Sequence, residues 1–178
     1  MNIYCYLQRL SRSMSVHAHA LLRIVMMMVL LLGAQHAYAA VTCTVSATGP
    51  SFGTYNPLSA SPALANGSVT ATCTLTGNSS TTVNITSSYS KGSSNTYSSR
   101  TMKSGTNVLN YNLYFDAAFT QIRGDGTGGS QTGGGTLNLT PSSRTQTTPD
   151  SVIYGRVPAG QDVAAGSYSD TIVVTITY

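Results

Sequence analysis

The sequence predicts an all-β protein, an antiparallel sandwich or barrel. Short runs alternate apolar and polar residues, and glycine, proline, asparagine and serine interrupt them along the chain. After the N-terminal apolar region, no segment repeats apolar residues with the helical period. Successive side chains of a strand point to opposite faces, so such runs indicate half-buried strands. Many short strands joined by turns, without helices, are typical of these two architectures.

Six alternating runs are predicted as strands before the last one, in this order: 41–47, 69–75, 83–85, 108–115, 136–140 and 152–157. The run 108–115 is the strongest, with apolar side chains at every second position. The polar segment 87–99 and the glycine-rich segment 124–135 are predicted as loops, because their composition favours turns over paired strands.

The run 171–178 predicts the last strand. Ile172, Val174, Ile176 and Tyr178 point to one face, and the opposite face is mostly threonine. The sequence ends on an aromatic residue that this alternation places on the inward face. An uncovered apolar strand recruits other chains, so we expect this strand to be covered by the protein's own fold or by a partner.

The N-terminal region has the features of a secretion leader. Arginines precede the apolar run 24–34, and a small-x-small pattern ends at Ala39. The run is about half of the ~20 residues that a membrane span requires. We therefore predict a signal peptide over 1–39, removed by cleavage between Ala39 and Ala40, rather than an uncleaved anchor. Met14 is an alternative to Met1 as the first residue of a shorter leader.

Residues 40–178 are predicted to form one domain with one core. This part has six basic residues and five aspartates, a net charge of +1, so most of the +4 of the whole chain lies in the leader. All three histidines also lie in the leader. The overall positive charge therefore does not indicate a nucleic-acid partner.

Cys43 and Cys73 are the two cysteines beyond the leader. In a secreted chain such a pair most simply forms one disulfide, which would join the first predicted strand to the second. The alternative is two free thiols or a metal pair. No histidine or nearby third ligand is available to complete a metal site.

The composition argues against catalysis and cofactors. Without histidine, neither a serine nor a cysteine nucleophile has its usual base. The five aspartates lie beside turn residues or strand ends, where aspartate is a common turn former. The segment 124–135 lacks the Lys-Ser/Thr ending of a phosphate-binding loop, and its single aspartate is too few for calcium. We expect no enzyme activity, no cofactor and no metal.

Arg100 and Lys103 lie close in sequence to Tyr97. They suggest a small basic and aromatic patch for a glycan or another surface. The alternative is a pair of solvated loop charges.

Eight motifs, spread in order along residues 43–178, resemble the spore coat protein U domain: Cys43-Thr-Val-Ser, Phe52-Gly-Thr-Tyr-Asn-Pro57, Gly67-Ser-Val-Thr-Ala-Thr-Cys73, Arg100-Thr-Met102, Leu109-Asn-Tyr-Asn-Leu-Tyr-Phe-Asp116, Gly124-Asp-Gly126, Tyr154-Gly-Arg156, and Gly166-Ser-Tyr-Ser-Asp170 with the closing Tyr178. That domain is the pilin module of archaic (Csu-type) chaperone–usher pili. The resemblance implies a structural and adhesive pilus subunit, secreted through the periplasm to the cell surface, that serves attachment and biofilm formation.

The resemblance also implies an incomplete immunoglobulin-like antiparallel sandwich. A donor strand from a periplasmic chaperone, and then from a neighbouring pilin subunit delivered by an outer-membrane usher, would complete it. Ile172, Val174, Ile176 and Tyr178 would line the acceptor groove and form the edge that the chaperone pairs with. The alternative is that these four residues are ordinary core residues of a closed sandwich.

The chain departs from this family in one respect. A donor strand needs about ten alternating residues, but cleavage after Ala39 leaves only 40–42 before Cys43. Such a subunit would accept a strand without donating one, as at a fibre tip or in a non-polymerising relative. The alternative function is a free-standing secreted binding module or coat protein with a self-closed sandwich.

Overall fold

The protein is all-β in a computed structural model that describes residues 39–148 and 151–178. The strands in these two ranges are β1 (Ala40–Thr48), β2 (Ala63–Thr76), β3 (Thr81–Tyr89), β4 (Arg100–Ser104), β5 (Asn107–Tyr114), β6 (Gly133–Leu139), β7 (Thr145–Thr147), β8 (Ser151–Val157) and β9 (Val174–Thr177). Within the same ranges, no helix has the length and apolar character needed to cross a membrane. The predicted leader and its n-region lie outside the described residues.

The strands form two antiparallel sheets. The larger sheet has the order β1-β2-β8-β5-β4, with β7 also paired to β2, and the smaller sheet has the order β6-β3-β9. One buried cluster draws on β2, β3 and β6, with Leu75, Val83 and Leu139 among its members. Because both sheets contribute inward side chains to the same core, the predicted antiparallel sandwich is confirmed.

Three predicted strands match the observed ones within one residue at each end: 41–47, 108–115 and 152–157 correspond to β1, β5 and β8. Two strands were not predicted. β4 carries polar side chains at most positions, and β7 has the sequence Thr-Gln-Thr. Pairing with β5 and with β2 holds these two strands in place, so their own hydrophobic pattern did not indicate them.

Several predicted boundaries are wrong. β3 continues to Tyr89, so the polar loop begins later than residue 87, because Ser87 to Tyr89 pair with β9. β6 begins at Gly133, inside the predicted glycine-rich loop, because Gly133 to Gly135 pair with β3. The predicted last strand 171–178 is regularly paired only over Val174–Thr177.

Candidate functional site

An open groove of about 1100 Å³ runs along one end of the sandwich. Inward side chains of both sheets form its floor, mostly those of the larger sheet. Its rims are the end of β1 with the loop that follows it (47–57) and a second loop segment (163–172). Beyond Ala47 and Thr48 at the end of β1, the strand residues that line it are Tyr89 of β3, Met102 of β4, Leu109, Tyr111 and Leu113 of β5, Ile153 of β8 and Val174 of β9. These residues belong to the main apolar core cluster or pack against it. Core side chains of the sandwich therefore face an open space.

The first rim is held in place by one aromatic contact and by two hydrogen bonds of the Tyr55 hydroxyl. The Phe52 ring meets the Tyr111 ring edge-on at 6.0 Å between centroids. The Tyr55 hydroxyl donates to the Pro158 carbonyl at 2.9 Å and accepts from the Gln161 amide at 2.8 Å. Gly155 lies beneath this rim, where a side chain would collide with the Phe52 ring. The segment after β1 is thus fastened to β5 and β8.

The second rim crosses from the larger sheet to the smaller one. Ser169 exchanges backbone hydrogen bonds with Lys103 of β4, and its N–H lies 3.1 Å from the Lys103 carbonyl. The Asp170 carboxylate accepts from the Tyr111 hydroxyl at 2.7 Å and from the Ser93 amide at 2.8 Å. Desolvation, and then the bond to Asp170, raise the pKa of Tyr111, so this phenol stays a neutral donor at all ordinary pH values.

β9 has one strand neighbour among the described residues, β3, and its other edge faces no strand. Ser90 donates its N–H to the Val173 carbonyl at 2.9 Å, which makes Ser90 and Val173 a hydrogen-bonded position of this antiparallel ladder. Hydrogen-bonded positions alternate along such a ladder. The backbone groups of Thr175 therefore point to β3, and those of Val174 and Ile176 point to the free edge.

Apolar side chains close to the free edge of β9 are also only partly buried. Val41 and Cys43 of β1 and Ile176 of β9 pack against the same buried cluster, and all three remain half-buried. β1 is itself the outer strand of the larger sheet. Apolar side chains on the outer strands of both sheets are thus only partly covered.

Cys43 and Cys73 form a disulfide, as predicted. The two residues are direct partners in the β1–β2 ladder, with Cα atoms 4.0 Å apart. The bond fastens the outer strand β1 to its neighbour β2.

The four residues predicted to line an acceptor groove lie in different places. Ile172 and Val174 line the large groove. Ile176 lines a separate small cavity of about 50 Å³ with Val69 and Ile85. Tyr178 lines neither of these cavities and is 56% exposed. The inward position expected for this aromatic residue is wrong, because Tyr178 lies beyond the last β3–β9 pair, Thr86 with Thr177.

The basic and aromatic patch suggested by Arg100, Lys103 and Tyr97 does not exist as a surface. Arg100 is 0% exposed and Tyr97 is 3% exposed. The Arg100 guanidinium donates to the Ser90 carbonyl, to the Asn112 side-chain oxygen at 2.7 Å and to the Arg123 carbonyl at 2.6 Å. Burial of a guanidinium is tolerated when its donors are satisfied, and desolvation lowers the pKa of Arg100. Arg100 is therefore neither part of a surface patch for a glycan nor a solvated loop charge.

Two of the aspartates, Asp116 and Asp125, hold local turns. The Asp116 carboxylate accepts from the amides of Thr120 and Gln121, and the Asp125 carboxylate accepts from the amide and hydroxyl of Thr127. In the described ranges, no three histidine, cysteine or acidic side chains come together as a metal site would require.

Sequence reasoning missed Phe52 and Tyr55, which build the first rim, and Met102, which lines the groove from β4. Phe52 and Tyr55 lie in a loop, where periodicity carries no signal, and Met102 lies in the unpredicted strand β4. The signal that was available is the motif 52–57, which belongs to the family resemblance rather than to a strand pattern.

The sequence comparisons with known proteins agree with that resemblance. Residues 29–175 match the family described as Spore Coat Protein U domain. The chain is 34% identical over 134 residues to "Protein U" of Myxococcus xanthus, a match that covers 71% of this chain and 70% of that protein. A structural match has a TM-score of 0.44 and 18% identity: a crystal structure of the CsuC-CsuE chaperone-tip adhesion subunit pre-assembly complex from archaic chaperone-usher Csu pili of Acinetobacter baumannii. It covers 78% of this chain and 40% of the matched one.

The fold and the groove define an antiparallel β-sandwich domain with apolar residues facing an open groove. The extent of the sequence match then identifies the family. This chain belongs to the spore coat protein U domain family.

Proposed function

We propose that this protein is a structural, non-catalytic subunit that accepts a β-strand from another protein. The observation that carries the proposal is the open groove of about 1100 Å³ over core side chains. A sandwich that leaves such a groove unfilled exposes apolar surface to water, and filling it is favourable by about 25 cal/mol for each Å² that is covered.

The free edge of β9 supplies the second requirement. A strand added to a sheet edge forms main-chain hydrogen bonds, and its alternate side chains fill pockets. The outward backbone groups of Val174 and Ile176 offer such bonds, while the side chains of Ile172 and Val174 line the groove. An incoming strand with apolar residues at every second position would pair with these backbone groups and fill the groove with its apolar side chains.

The wider assignment follows from the family resemblance. In this proposal the protein is secreted through the periplasm after cleavage between Ala39 and Ala40. A periplasmic chaperone fills the groove first, an outer-membrane usher exchanges it for a neighbouring subunit, and the assembled archaic chaperone–usher pilus serves attachment and biofilm formation. The domain is then 40–178, with Ile172, Val174, Ile176 and Tyr178 at or beside the strand that receives the partner.

A synthetic donor peptide tests the proposal. The probe is a peptide of about a dozen alternating apolar and polar residues, copied from the donor strand of a polymerising pilin. It should raise the melting temperature of the wild-type protein, because a ligand of the folded state stabilises that state by mass action. Val174→Asp should abolish the shift, since it places a charge inside the groove.

Val173→Asp is the matched control. Val173 neighbours Val174 but is 59% exposed and points away from the groove, so this variant should keep the peptide-induced shift. Circular dichroism of both variants verifies that they fold. Equal shifts in the two variants, or no shift in the wild type, would contradict strand acceptance.

The second candidate function is a free-standing coat protein with a self-closed sandwich. The description of the family names a spore coat protein, which favours it. Periplasmic production with and without a cognate chaperone, followed by size exclusion, separates the two. Strand acceptance predicts aggregation or self-association of the protein alone and a soluble one-to-one complex with the chaperone. A stable, monodisperse monomer without chaperone would support the coat protein.

A further inference from the structure

A second surface lies on the outer face of the larger sheet, opposite the groove. We call it the aromatic–arginine patch, and it consists of Asn66, Tyr114, Phe119, Tyr154 and Arg156. Tyr154 is the direct ladder partner of Asn66 on β2 and of Tyr114 on β5, so the three side chains form a row. Ile153 next to Tyr154 lines the groove, and side chains alternate, so the patch and the groove use opposite faces of β8.

Phe119 is held over this row by a strained turn. Among the described residues it is the one non-glycine residue with a positive φ, 59°. The Phe119 amide donates to the Asp116 carbonyl at 3.1 Å, and the Asp116 carboxylate accepts from Thr120 and Gln121 behind it. The Phe119 ring meets the Tyr114 ring edge-on at 5.4 Å. Strained backbone of this kind concentrates at functional sites, because a useful side-chain position repays its cost.

Arg156 completes the patch. Its guanidinium carbon lies 5.5 Å from the centroid of the Phe119 ring, within the range of a cation–π contact. Its Nε is buried and has no hydrogen-bond partner, and Arg156 forms no ion pair within the described ranges. An unpaired buried donor is costly. The guanidinium is thus a positive group that no acidic side chain of the described residues pairs with.

The edges of the patch are polar and open to solvent. Asn66 is exposed, and the phenol hydroxyls of Tyr114 and Tyr154 form no hydrogen bond with the described residues. The side chain of Leu64, the ladder partner of Arg156, is 54% exposed and extends the apolar part. Aromatic faces, free hydroxyls, one amide and one guanidinium thus converge on a single small area.

We propose that the aromatic–arginine patch binds an acidic polysaccharide, a polymer of sugars that carry carboxylates. A guanidinium pairs with a carboxylate through two parallel hydrogen bonds. The C–H face of a pyranose ring stacks on an aromatic ring, and its hydroxyls suit the free phenols and the Asn66 amide.

The size of the patch favours a sugar over a protein partner. Three strands and two residues along each strand span roughly 10 Å by 7 Å, the area of one or two sugar rings. A stable protein interface needs about 800 Å² on each side. The site is separate from strand acceptance and goes beyond it, because it lies on the other face of the sheet.

Affinity electrophoresis of the full secreted protein tests this inference. The probe is polygalacturonate, and the control polymer is the same preparation with its carboxylates reduced to alcohols. The wild type should bind polygalacturonate at least about tenfold more tightly than the reduced polymer, and added salt should weaken the binding. Arg156→Gln should lose about tenfold in affinity, and Phe119→Leu should also weaken binding.

Arg144→Gln is the matched control, because it removes the same charge from an exposed arginine whose partners are Gly77 and Asn78. It should bind like the wild type, and melting temperatures verify that each variant folds. Equal losses in the two arginine variants would overturn the proposal. So would equal binding of the two polymers, or a dimer of the protein alone that Arg156→Gln dissociates, because that dimer would assign the patch to a second copy of the chain.

Discussion

At the scale of single residues, Arg100 is buried although the sequence pattern suggests an exposed residue. Arg100 lies at the end of a polar stretch, and Asn112 falls on the predicted outward face of its strand, yet both are buried. The Asn112 side chain accepts from Arg100 and donates to the Tyr97 carbonyl at 2.7 Å. The acceptors of Arg100 come from Ser90, Asn112 and Arg123, which lie far apart in the chain. No local pattern could indicate that they converge.

Arg100→Met should lower the free energy of unfolding by about 3 kcal/mol, because it leaves buried acceptors without a donor. Arg144→Met, at an exposed arginine, should change that free energy by less than about 1 kcal/mol. Denaturant unfolding measures both values. Losses of similar size would mean that the buried hydrogen bonds of Arg100 contribute little to stability.

The disulfide gives a second prediction at this scale. It closes a loop with a sequence separation of 30 residues. Replacing both cysteines by serine should lower the free energy of unfolding by about 3–4 kcal/mol in the loop-entropy description. Reducing the wild type should produce the same loss. Two alkylatable thiols in protein purified without a reductant would show that the bond does not form.

The Asp116 carboxyl provides a test by pH. Desolvation raises its pKa, but the hydrogen bonds from Gln121 and Thr120 together outweigh that effect and hold the pKa below its ordinary value of 3.8. The folded-state pKa is therefore depressed, so the stabilisation is present above the unfolded pKa and is lost as the pH falls through the folded one. Wild type should melt above Asp116→Asn at neutral pH, and the gap should shrink as the pH is lowered below the ordinary carboxyl pKa of 3.8. A gap that persists in acid would contradict this role of the carboxylate.

At the scale of elements, alternation predicted which side chains share a face but not which strands are neighbours. The runs that became β1, β5 and β8 were predicted within one residue at each end because each has an apolar side chain at every second position. β4 and β7 were missed because a ladder partner, rather than an apolar face, holds each of them. The free edge of β9 belongs to this scale, since it depends on the position of the strand in the sheet.

Hydrogen exchange should detect that edge directly. The amide of Thr175 points to β3 and should exchange slowly, whereas the amides of Val174 and Ile176 point to the free edge and should exchange fast. Adding the donor peptide should slow Val174 and Ile176 and leave Thr175 almost unchanged, because only the outward amides gain partners. Slow exchange at Val174 and Ile176 without any partner would show that the edge is already covered.

At the scale of the whole molecule, the groove and the aromatic–arginine patch occupy opposite faces of the larger sheet. Under the two proposals above, the subunit would accept a strand on its inner face and keep its outer face open to a polysaccharide. The family match begins at residue 29, within the predicted leader. The start of the mature protein therefore bears directly on whether it can also donate a strand.

If the mature protein starts at Ala40, it should not form homopolymers after a chaperone is removed. Adding about a dozen alternating residues from a donor-competent pilin ahead of Ala40 should confer polymerisation, because strand addition requires main-chain pairing and matched alternate side chains. Gel analysis of heated and unheated samples measures the polymers, and N-terminal sequencing establishes the start. Homopolymer ladders from the unmodified protein, or a start well before Ala40, would contradict an acceptor-only subunit.

The sequence by itself determined the all-β class, the antiparallel sandwich, most of the strands, the disulfide and the family. Each of these depends on local alternation, on residue counts or on motifs in order, which are readable along the chain. Only the tertiary structure decided that Ile172 and Val174 line an open groove while Tyr178 stays exposed, that Arg100 is buried, and that Phe119 lies against Arg156. Those features depend on which segments, distant in the sequence, contact one another. Strand order and long-range hydrogen bonds do not produce a periodic pattern of residues, so the sequence does not indicate them.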